Sequence, residues 1–448
     1  MSGLSGGASD EVQVLPTKAL FVEMLTRDLM LDRAVLDLVD NSIDGARRLR
    51  PCPGSDLSGL RIDITLGRNG FSIDDNCGGI GLDLARTYAF RIGRSKSRPR
   101  TPNAIGEFGV GMKRALFKFG HEFTVTSRTL NDRFKLVVDV DAWEADDDNW
   151  SFRFEDFEDG LQTPEKDIGT LVEVSQLRDN VADTFDLLTF QNNLAREIAR
   201  GQQEYLDRGL LITFNNVSCP SSPWTLLSSG ELSPVSRMDT IKVGNEDVHT
   251  RIFAGISAPN PKLAGWYVFC NGRMVLEANQ SDVTGWGRLA EEEAMAAPKY
   301  HNQFARFRGY AFFDAANAGL LPWNTTKTGV DEDAALYRST LLVMVECMRT
   351  VLEFLRRLDD ERDIVEAADR VLTKAVAQAQ PLKVREITQS VPFRAPVRRE
   401  RTGPQLVSVQ FRKPRDQVAA LQEALDARSA SEVGGMAFDL ALQRHVPA

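Results

Sequence analysis

The clearest alternation of apolar and polar positions lies at residues 60–66 and predicts a β-strand. Asn69 and Gly70 then give a hairpin turn signal, and residues 71–74 continue the alternation as the return strand. Upstream, apolar residues recur at helical spacing over 32–50, and two prolines and a glycine follow at once. This part of the chain is therefore predicted to be a helix followed by a β-hairpin.

The remaining periodic segments predict an α+β protein, with helices on one face of a mixed, mostly antiparallel sheet and a second α+β unit after it. The acidic tracts at 146–148 and 155–159 are expected to be solvated hairpin loops. The other predicted strands are 122–127, 134–140, 150–154, 170–174, 210–214, 251–257, 265–269 and 306–313. The other predicted helices are 18–24, one starting near Gly109, 183–206, 289–296, 334–358, 417–430 and 436–443.

Changes in composition divide the chain into four parts. A small, polar N-terminal arm is expected at 1–20, the first α+β domain at 21–222, and the second, with C-terminal helices, at 223–380. A basic linker and helical tail should occupy 381–448. Within 381–416, nine Lys and Arg residues face three Asp and Glu residues, with five prolines.

Composition also excludes several classes of protein. The chain has 448 residues, 42% of them apolar, which is enough for two or three packed domains. It has no apolar run near the ~20 residues of a membrane span and no signal-peptide pattern, so we expect a cytoplasmic protein without a membrane partner. Five scattered cysteines predict neither a disulfide scaffold nor a zinc site. A net charge of −9 argues against nucleic-acid binding over the whole surface, but not against a local basic patch.

Three polar residues share one face of the predicted helix at 32–50. Asp37, Asn41 and Asp44 lie at i, i+4 and i+7. Two carboxylates and an amide in line suit a hydrated Mg²⁺ ion and a positioned water. The alternative is the acidic, solvent-exposed face of an ordinary amphipathic helix, and this helix taken alone favours that alternative.

Three glycine-containing segments follow in order. The first begins at Asp75, whose carboxylate can accept from an exocyclic amine, and reaches Gly79, where the backbone can approach a base closely. An ordinary turn is the alternative there. In the second, residues 106–113, glycines run into a helical pattern whose first N–H groups form an anion site. Its spacing is that of neither a Walker A loop nor a Rossmann fingerprint. The third, at 169–170, starts a strand and is uninformative alone.

Taken in order, these segments resemble the N box and the three glycine boxes of the GHKL ATPase superfamily: gyrase B, the ninety-kilodalton heat-shock chaperones, histidine kinases, MutL and the MORC proteins. The stretch DLVDNSIDGA is most similar to MutL, MORC and gyrase, and GEFGVGMKRA is most similar to the chaperones and MORC. The resemblance covers residues 15–215. It implies a Bergerat-fold ATPase domain that uses ATP and Mg²⁺.

The resemblance also implies a role for residues of each box. Asn41 would bind the Mg²⁺ that bridges the phosphates, Asp75 would accept from the adenine amine, and Thr170 would support the adenine through a water. Lys96, on a basic loop at 91–105, would contact phosphate from a lid over the nucleotide. Gly109 and Gly111 would offer N–H groups to the phosphates, with Lys113 as a charge partner. The remaining expected nucleotide contacts are Asp44, Gly79, Ile80, Gly106, Glu107, Phe108, Val110 and Met112.

Two positions depart from the family pattern. Hydrolytic members usually carry Glu where this chain has Asp37, the residue that would act as base toward the attacking water. Asp is one methylene shorter, so its reach to that water differs by about an ångström, which is enough to change a rate strongly. We therefore expect a slow, switch-like ATPase. Cys77 replaces the first glycine of its box, but Gly78 and Gly79 follow and can preserve the turn.

In the second α+β unit, Phe269-Cys-Asn-Gly-Arg-Met-Val is similar to a strand–turn–strand element of the transducer domain in MutL-like and gyrase-like proteins. That domain has a fold like that of ribosomal protein S5. In those proteins a lysine on a loop reaches the γ-phosphate. Lys327, in Asn-Thr-Thr-Lys-Thr-Gly at 324–329, is the candidate for this second catalytic residue. A turn lysine without that role is equally compatible with the sequence.

Together these features predict an ATP-driven molecular clamp. ATP would close the lid, the arm would cross to a second copy, and two ATPase heads would form a homodimer that hydrolysis reopens. The resemblance to MORC and MutL implies DNA as client, contacted between Lys383 and Arg415, or a protein partner from the same system. Stand-alone bacterial members of this kind resemble parts of DNA repair, restriction or anti-phage systems. The basic segment is equally compatible with a linker that pairs with the acidic body.

Three other functions make different demands on the sequence from those of a clamp on DNA. A chaperone-like ATPase acting on protein clients is the main alternative, although the chain lacks the long charged linker and large middle domain of that family. A histidine kinase needs a phosphoacceptor histidine ahead of its ATPase domain, but the first histidine here, His121, follows the glycine-rich helix start. A type II topoisomerase is disfavoured as a single chain, because no tyrosine-bearing cleavage domain follows.

Overall fold

The structure is a computed structural model, and it divides into two compact units. One comprises Met1–Arg357 and Ala375–Pro396, and the other comprises Leu358–Lys374 and Val397–Ala448. No helix in the described part of the chain is long and apolar enough to cross a membrane. The residues that the structure describes are 17–52, 54–91, 105, 111–146, 149–288, 297–324, 327–361, 370–396, 409 and 412–446.

The first unit contains an eight-stranded mixed sheet. Its strands are β1 (Arg61–Gly67), β2 (Gly70–Asp75), β3 (Gly120–Arg128), β4 (Asp132–Asp139), β5 (Phe154–Asp159), β6 (Gly169–Leu177), β7 (Leu211–Phe214) and β8 (Val217–Ser218). They lie in the order β5-β4-β3-β6-β2-β1-β7-β8. Strands β1 and β7 run parallel, and the other neighbouring pairs run antiparallel. The predicted mixed, mostly antiparallel sheet is confirmed.

Helices pack on this sheet through the alternating side chains of its strands. On β2, Phe71, Ile73 and Asp75 are buried and point to one side. The ring of Phe71 lies 5.0 Å from that of Phe119 and 6.3 Å from that of Phe185, so two helices meet this face. The helices of this part are α1 (Lys18–Thr26), α2 (Leu31–Leu49), α3 (Leu82–Leu84), α4 (Gly111–Phe119), α5 (Val140–Ala145), α6 (Asp179–Asp186), α7 (Leu188–Gly201) and α8 (Gln203–Asp207).

A second, five-stranded sheet follows in the same unit. Its core is aromatic: Phe269 and Phe312 stack at 4.5 Å between ring centres, and Tyr267 and Tyr310 stack beside them. The strands lie in the order β10-β11-β14-β12-β13, with β12 and β14 parallel. They are β10 (Val235–Val243), β11 (Glu246–Ile256), β12 (Gly265–Cys270), β13 (Arg273–Asn279) and β14 (Phe307–Ala315), after β9 (Thr225–Ser228) and before helix α9 (Ala335–Asp360).

Several segments differ from the sequence predictions. Of the strand predicted at 150–154, only Phe154 lies in a strand, as the first residue of β5. Residues 155–159, expected to form a solvated loop, belong to edge strand β5, whose outer residues are exposed and acidic. Acidic side chains suit an edge strand because they discourage pairing with another chain. The helix predicted at 183–206 is three helices, α6 to α8. Strand β10 was not predicted, because its apolar positions are buried only where it meets β11 and residues 389–394.

The first residues of the basic segment form a short strand and two ion pairs within the first unit. Residues Gln380–Lys383 form β15, which pairs with β9. Lys383 and Arg385 form ion pairs with Asp207, at 3.7 and 2.9 Å. This portion of the basic segment therefore pairs with an acidic residue of the body. Residues 397–408, which carry three of its arginines, lie outside the described part of the chain.

The second compact unit is helical in its described residues. Glu361 is buried and accepts hydrogen bonds from the backbone N–H groups of Leu372 and Thr373, at 2.9 and 2.8 Å, which satisfies the start of a helix. The helices are α10 (Val371–Gln378), which continues into the first unit, α11 (Arg415–Ala424) and α12 (Ala430–His445). The predicted helix at 289–296 lies outside the described residues.

Candidate functional site

Helix α2 presents its three predicted polar residues in different environments. Its apolar side is fully buried against the sheet, which fixes the rotation of the helix. Asn41 is exposed, Asp37 is half-buried, and Asp44 is buried. The Asp44 carboxylate accepts the N–H of Ile105 at 2.7 Å. Asp44 therefore anchors a described residue of the segment that separates α3 from α4, rather than facing solvent.

Asp75, at the end of β2, lies beside α2. Its Oδ2 accepts from the Ser42 hydroxyl at 2.6 Å, and its Oδ1 accepts from the Cys77 N–H at 2.8 Å. Burial raises the pKa of the Asp75 carboxyl above its usual value, although these hydrogen bonds act in the opposite direction. Thr170 on β6 lies directly opposite Asp75 in the ladder. The structure thus brings together Asp75 and Thr170, which the sequence placed in separate boxes.

The turn after Asp75 approaches the neighbouring strands so closely that Gly79 cannot carry a side chain. Its φ is +72°, and a Cβ would lie 2.3 Å from the carbonyl oxygen of Arg128. The next N–H, of Ile80, donates to the Ser127 hydroxyl at 2.7 Å. Ser127 also lies 3.4 Å from the Thr170 hydroxyl and is buried. No sequence signal marked Ser127, because it is an ordinary position on an alternating strand.

Asp37 lies against the first turn of α4. A Cβ on Gly111 would sit 3.0 Å from Asp37 Oδ2, so a side chain there would require Asp37 to shift. The first N–H groups of a helix carry partial positive charge, which suits a carboxylate or phosphate at this end. Six residues predicted to contact the nucleotide lie outside the described residues: Lys96, Gly106, Glu107, Phe108, Gly109 and Val110.

Within α4, Met112 is half-buried and Lys113 is buried. The Lys113 ammonium donates to the carbonyl oxygen of Ala89 at 2.9 Å. Burial lowers the pKa of Lys113 to about 8, because the charged form loses its hydration. An ammonium has three N–H donors, so the bond to Ala89 does not by itself exclude a contact with phosphate.

Lys327 lies on the connection between β14 and α9, and its side chain extends to Asp37 of α2. Its loop is held by hydrogen bonds from the Lys327 N–H to the Asn324 carbonyl and from the Asn324 N–H to the Gly329 carbonyl, both 3.0 Å. Lys327 has a φ of +55°, a conformation that non-glycine residues seldom adopt. Its Nζ lies 3.6 Å from Asp37 Oδ1. The sequence predicts catalytic roles for Lys327 and Asp37 independently, and in the structure their side chains are neighbours.

Asp40, which no sequence pattern marks as functional, is the centre of a buried polar cluster. It pairs with Arg273 on β13 and with Lys327, whose Nζ lies 3.1 Å from Asp40 Oδ2. Gln202 donates to its other oxygen at 3.1 Å. Burial raises the pKa of the Asp40 carboxyl, but the two cations and the hydrogen bonds outweigh that effect, so its pKa lies below the usual value.

The strand–turn–strand element at 269–275 also contacts α2 near its end. Arg47 donates to the Asn271 carbonyl at 2.8 Å, and the Tyr205 hydroxyl donates to the same oxygen at 2.6 Å. Because Asn271 and Arg273 bind Arg47 and Asp40, two side chains of α2, this turn fixes the second sheet to the helix that also carries Asp37 and Asn41. Sequence periodicity could not reveal these contacts, since they join residues 66 to 233 positions apart.

A cleft of about 450 Å³ opens beside Arg273 and Lys327. Glu197 and Glu277 on its wall form ion pairs with Arg33 and Arg200. The cleft includes no residue of the Asp75 turn. Its charged lining consists of Arg33, Arg196, Glu197, Arg200, Arg273, Glu277 and Lys327.

No group of three or more His, Cys, Asp or Glu residues in the described part of the chain could hold a metal ion. Mg²⁺ does not need such a group, because it is commonly held by one or two protein oxygens together with substrate phosphates and water. The exposed amide of Asn41, one helical turn from Asp37, fits that requirement.

Comparison with known proteins agrees with the local geometry. Residues 29–170 match the family model described as histidine kinase-, DNA gyrase B-, and HSP90-like ATPase. The matched segment contains α2, the Asp75 turn, the start of α4 and Thr170, and it ends before the second sheet. No curated protein matches the chain.

Proposed function

Because residues 29–170 belong to the GHKL superfamily of histidine kinase-, DNA gyrase B- and HSP90-like ATPases, we propose that this protein binds ATP with Mg²⁺ and hydrolyses it slowly as a molecular clamp. One observation carries this proposal. Lys327, from a loop outside the matched segment, lies 3.6 Å from the Asp37 carboxylate at the end where the phosphates would bind. A lysine there can stabilise the charge that develops on a transferring phosphoryl group.

The adenine would bind beside Asp75. The Asp75 carboxylate is oriented by hydrogen bonds from the Ser42 hydroxyl and the Cys77 N–H. Its oxygens keep lone pairs that can accept from an exocyclic amine. Gly79 and Ile80 would line the edge of the base, and Thr170 would hold a water between the base and the sheet. This arrangement would favour adenine over guanine, which presents a carbonyl oxygen in place of that amine.

The phosphates would lie between α2 and the start of α4. Asn41 would hold Mg²⁺, which neutralises phosphate charge when bound. The first N–H groups of α4, from Gly111 onward, would face the phosphate oxygens. We extend the proposal to Lys96 and to residues 106–110 only on the family resemblance.

In turnover, the Asp37 carboxylate would take a proton from a water as the water oxygen bonds to the γ-phosphorus. The bond from the γ-phosphorus to its bridging oxygen breaks, and ADP leaves with that electron pair. Lys327 would stabilise the charge on the γ-phosphate oxygens. Since Asp37 is one methylene shorter than the usual Glu, alignment of the water is less favourable, and slow turnover follows.

The clamp would close by dimerisation of two ATP-bound copies. Of the expected arm at 1–20, only the part ahead of α1 could cross between them, because Lys18 is buried and donates to the carbonyl oxygens of Trp143 and Asn149; residues 1–16 lie outside the described part of the chain. DNA, or a partner in DNA repair, restriction or anti-phage defence, is the proposed client. Arg412, Lys413 and Arg415 are exposed and available for phosphate contacts. The pairing of Lys383 and Arg385 with Asp207 favours the second candidate, a chaperone-like clamp on protein, because it withdraws two cations from DNA. Sizing and DNA binding with and without a non-hydrolysable ATP analogue separate the two: dimerisation without DNA binding favours the protein client.

Calorimetric titration with Mg·ATP, followed by a phosphate-release assay, tests the site. Asn41→Ala should abolish Mg·ATP binding, since it removes the proposed magnesium ligand. Asn180→Ala, an exposed asparagine at the start of α6, is the matched control and should bind normally. Asp37→Ala should bind ATP but not hydrolyse it, and Asp37→Glu should hydrolyse faster than the unmodified protein.

Two results would refute parts of this assignment. Unchanged ATP affinity in Asn41→Ala would place the nucleotide elsewhere. Continued hydrolysis by Asp37→Ala would mean that another group is the base.

A further inference from the structure

Four charged side chains meet at the junction of α2 with the second sheet. Asp40 has 1% of its side chain exposed, Arg273 4% and Lys327 8%, while Asp37 at the edge has 23%. Asp40 Oδ2 is shared by Arg273 Nη1 and by Lys327 Nζ. Lys327 is also 3.6 Å from Asp37 Oδ1. The cluster thus contains two carboxylates and two cations, and its charges balance.

Burial makes this balance important. An ion taken out of water costs several kcal/mol unless a partner compensates it, and removing one partner of a buried pair is far more costly than removing an exposed one. Asp40 is the member that touches both cations. If it were neutral, its attraction would no longer offset the repulsion between Lys327 and Arg273, and among the described carboxylates paired with Lys327 only Asp37 would remain.

Asp40 and Asp37 compete for the Lys327 ammonium, and this competition affects the basicity of Asp37. A lysine bound tightly to Asp37 would lower its basicity, whereas a lysine displaced from it could not reach a phosphate beside it. The Lys327 ammonium lies between the two carboxylates, 3.1 Å from Asp40 and 3.6 Å from Asp37. It is therefore close to Asp37 but bound more tightly to Asp40.

We propose that Asp40, held by Arg273 and Gln202, is a positioning residue for turnover: it keeps Lys327 beside Asp37 while leaving the Asp37 carboxylate able to accept a proton. This inference rests on the proposed ATPase function. It assigns Asp40 a role in the rate of hydrolysis and none in ATP binding.

A merely structural role for Asp40 would have a different signature. If Asp40 only fixed the second sheet to α2, its loss would lower stability and would add to the loss of Lys327. If it acts through Lys327, the two losses overlap. A double-mutant cycle on kcat therefore distinguishes them.

The cycle compares the unmodified protein, Asp40→Asn, Lys327→Met and the double variant, with kcat and KM measured for each. Asp40→Asn and Lys327→Met should each lower kcat about tenfold and change KM by less than about threefold. The double variant should have the kcat of Lys327→Met. The matched control is Glu277→Gln, which breaks the 3.0 Å pair between β13 and Arg200 of α7 and should leave kcat unchanged.

Several results would overturn the proposal: unmodified kcat in Asp40→Asn or in Lys327→Met, a multiplied loss in the double variant, or an equal loss in Glu277→Gln. If Asp40→Asn does not fold, the double variant, whose cluster remains balanced in charge, is compared with Lys327→Met alone. Equal kcat values support the proposal, and a further loss refutes it. Absence of hydrolysis by the unmodified protein would instead refute the proposed function, and this inference with it.

Discussion

The two ends of the proposed ATP site are built in different ways. At the adenine end, Asp75, Ser42 and Thr170 belong to one sheet and its covering helix, and hydrogen bonds join them. At the phosphate end, Asp37 and Asp40 meet Lys327 and Arg273, which come from beyond the segment that matches the ATPase family. Recognition would therefore be complete within one domain, whereas turnover would depend on the second sheet being docked.

The forces at the two ends also differ. Hydrogen bonds at the adenine end are short-range, and each contributes about 1 kcal/mol net. The phosphate end holds buried ions, whose stability depends on every partner being present. This difference suggests how the proposed clamp would couple hydrolysis to the docking of the second sheet. A small displacement of the Lys327 loop would leave ATP binding almost intact, but it would remove the Lys327 ammonium from the γ-phosphate.

The largest expected effect is at the adenine end. Gly79→Ala should lower the free energy of unfolding by roughly 4 kcal/mol, because it adds a positive-φ penalty to a clash with the Arg128 carbonyl oxygen at 2.3 Å. Gly78→Ala is the matched control. It has a similar φ of +98°, but its Cβ would meet only the Leu49 side chain, at 3.0 Å. We expect it to cost about 1–2 kcal/mol. Urea unfolding measures both, and equal losses would show that the Arg128 contact is unimportant.

A smaller effect is expected for the buried cation at the phosphate end. The folded-state pKa of Lys113 is lowered to about 8, so below pH 8 the lysine is charged in both states and its burial is unfavourable. Between pH 8 and the ordinary lysine pKa of about 10.4, the unfolded chain binds more protons than the folded one. Stability should therefore rise with pH across this window, by about 3 kcal/mol in all.

Lys113→Met tests this directly, since it removes the titrating group. Its unfolding free energy, relative to that of the unmodified protein, should be most favourable near pH 7 and should decline from pH 8 to 10. Lys118→Met, on the same helix with a less buried side chain, gives the baseline for replacing a lysine of α4 by methionine. A Lys113→Met difference that stays constant over this window would contradict the role of burial.

The sequence predicted the elements whose cause is local. Helix α2 and the β1–β2 hairpin follow from apolar periodicity, and each of their observed bounds differs from the predicted one by one residue. The resemblance to a known ATPase family also located Asp37, Asp75 and Lys327. What the sequence could not predict is that Lys327 would share Asp40 with Arg273, because these partners lie 287 and 233 positions from Asp40.

Some local features also escaped prediction, for physical reasons. The break between α6 and α7 carries no proline or glycine, so periodicity alone continued the helix through Leu187. Ser127 became part of the site only because β3 and β6 are neighbours, which places its hydroxyl beside Ile80 and Thr170. Strand β5 is apolar on too few positions to be distinguished from an acidic loop.

The most direct test of the division between the adenine end and the phosphate end is steady-state hydrolysis by Asp75→Asn and by Lys327→Met, with kcat and KM determined separately. For a slow ATPase, KM approximates the dissociation constant. Asp75→Asn should raise KM by about 30-fold while retaining most of kcat, because it weakens an adenine contact. Lys327→Met should lower kcat by about tenfold with little change in KM. Changes in the same parameter for both variants, or unmodified kcat in Lys327→Met, would contradict the division between recognition and turnover.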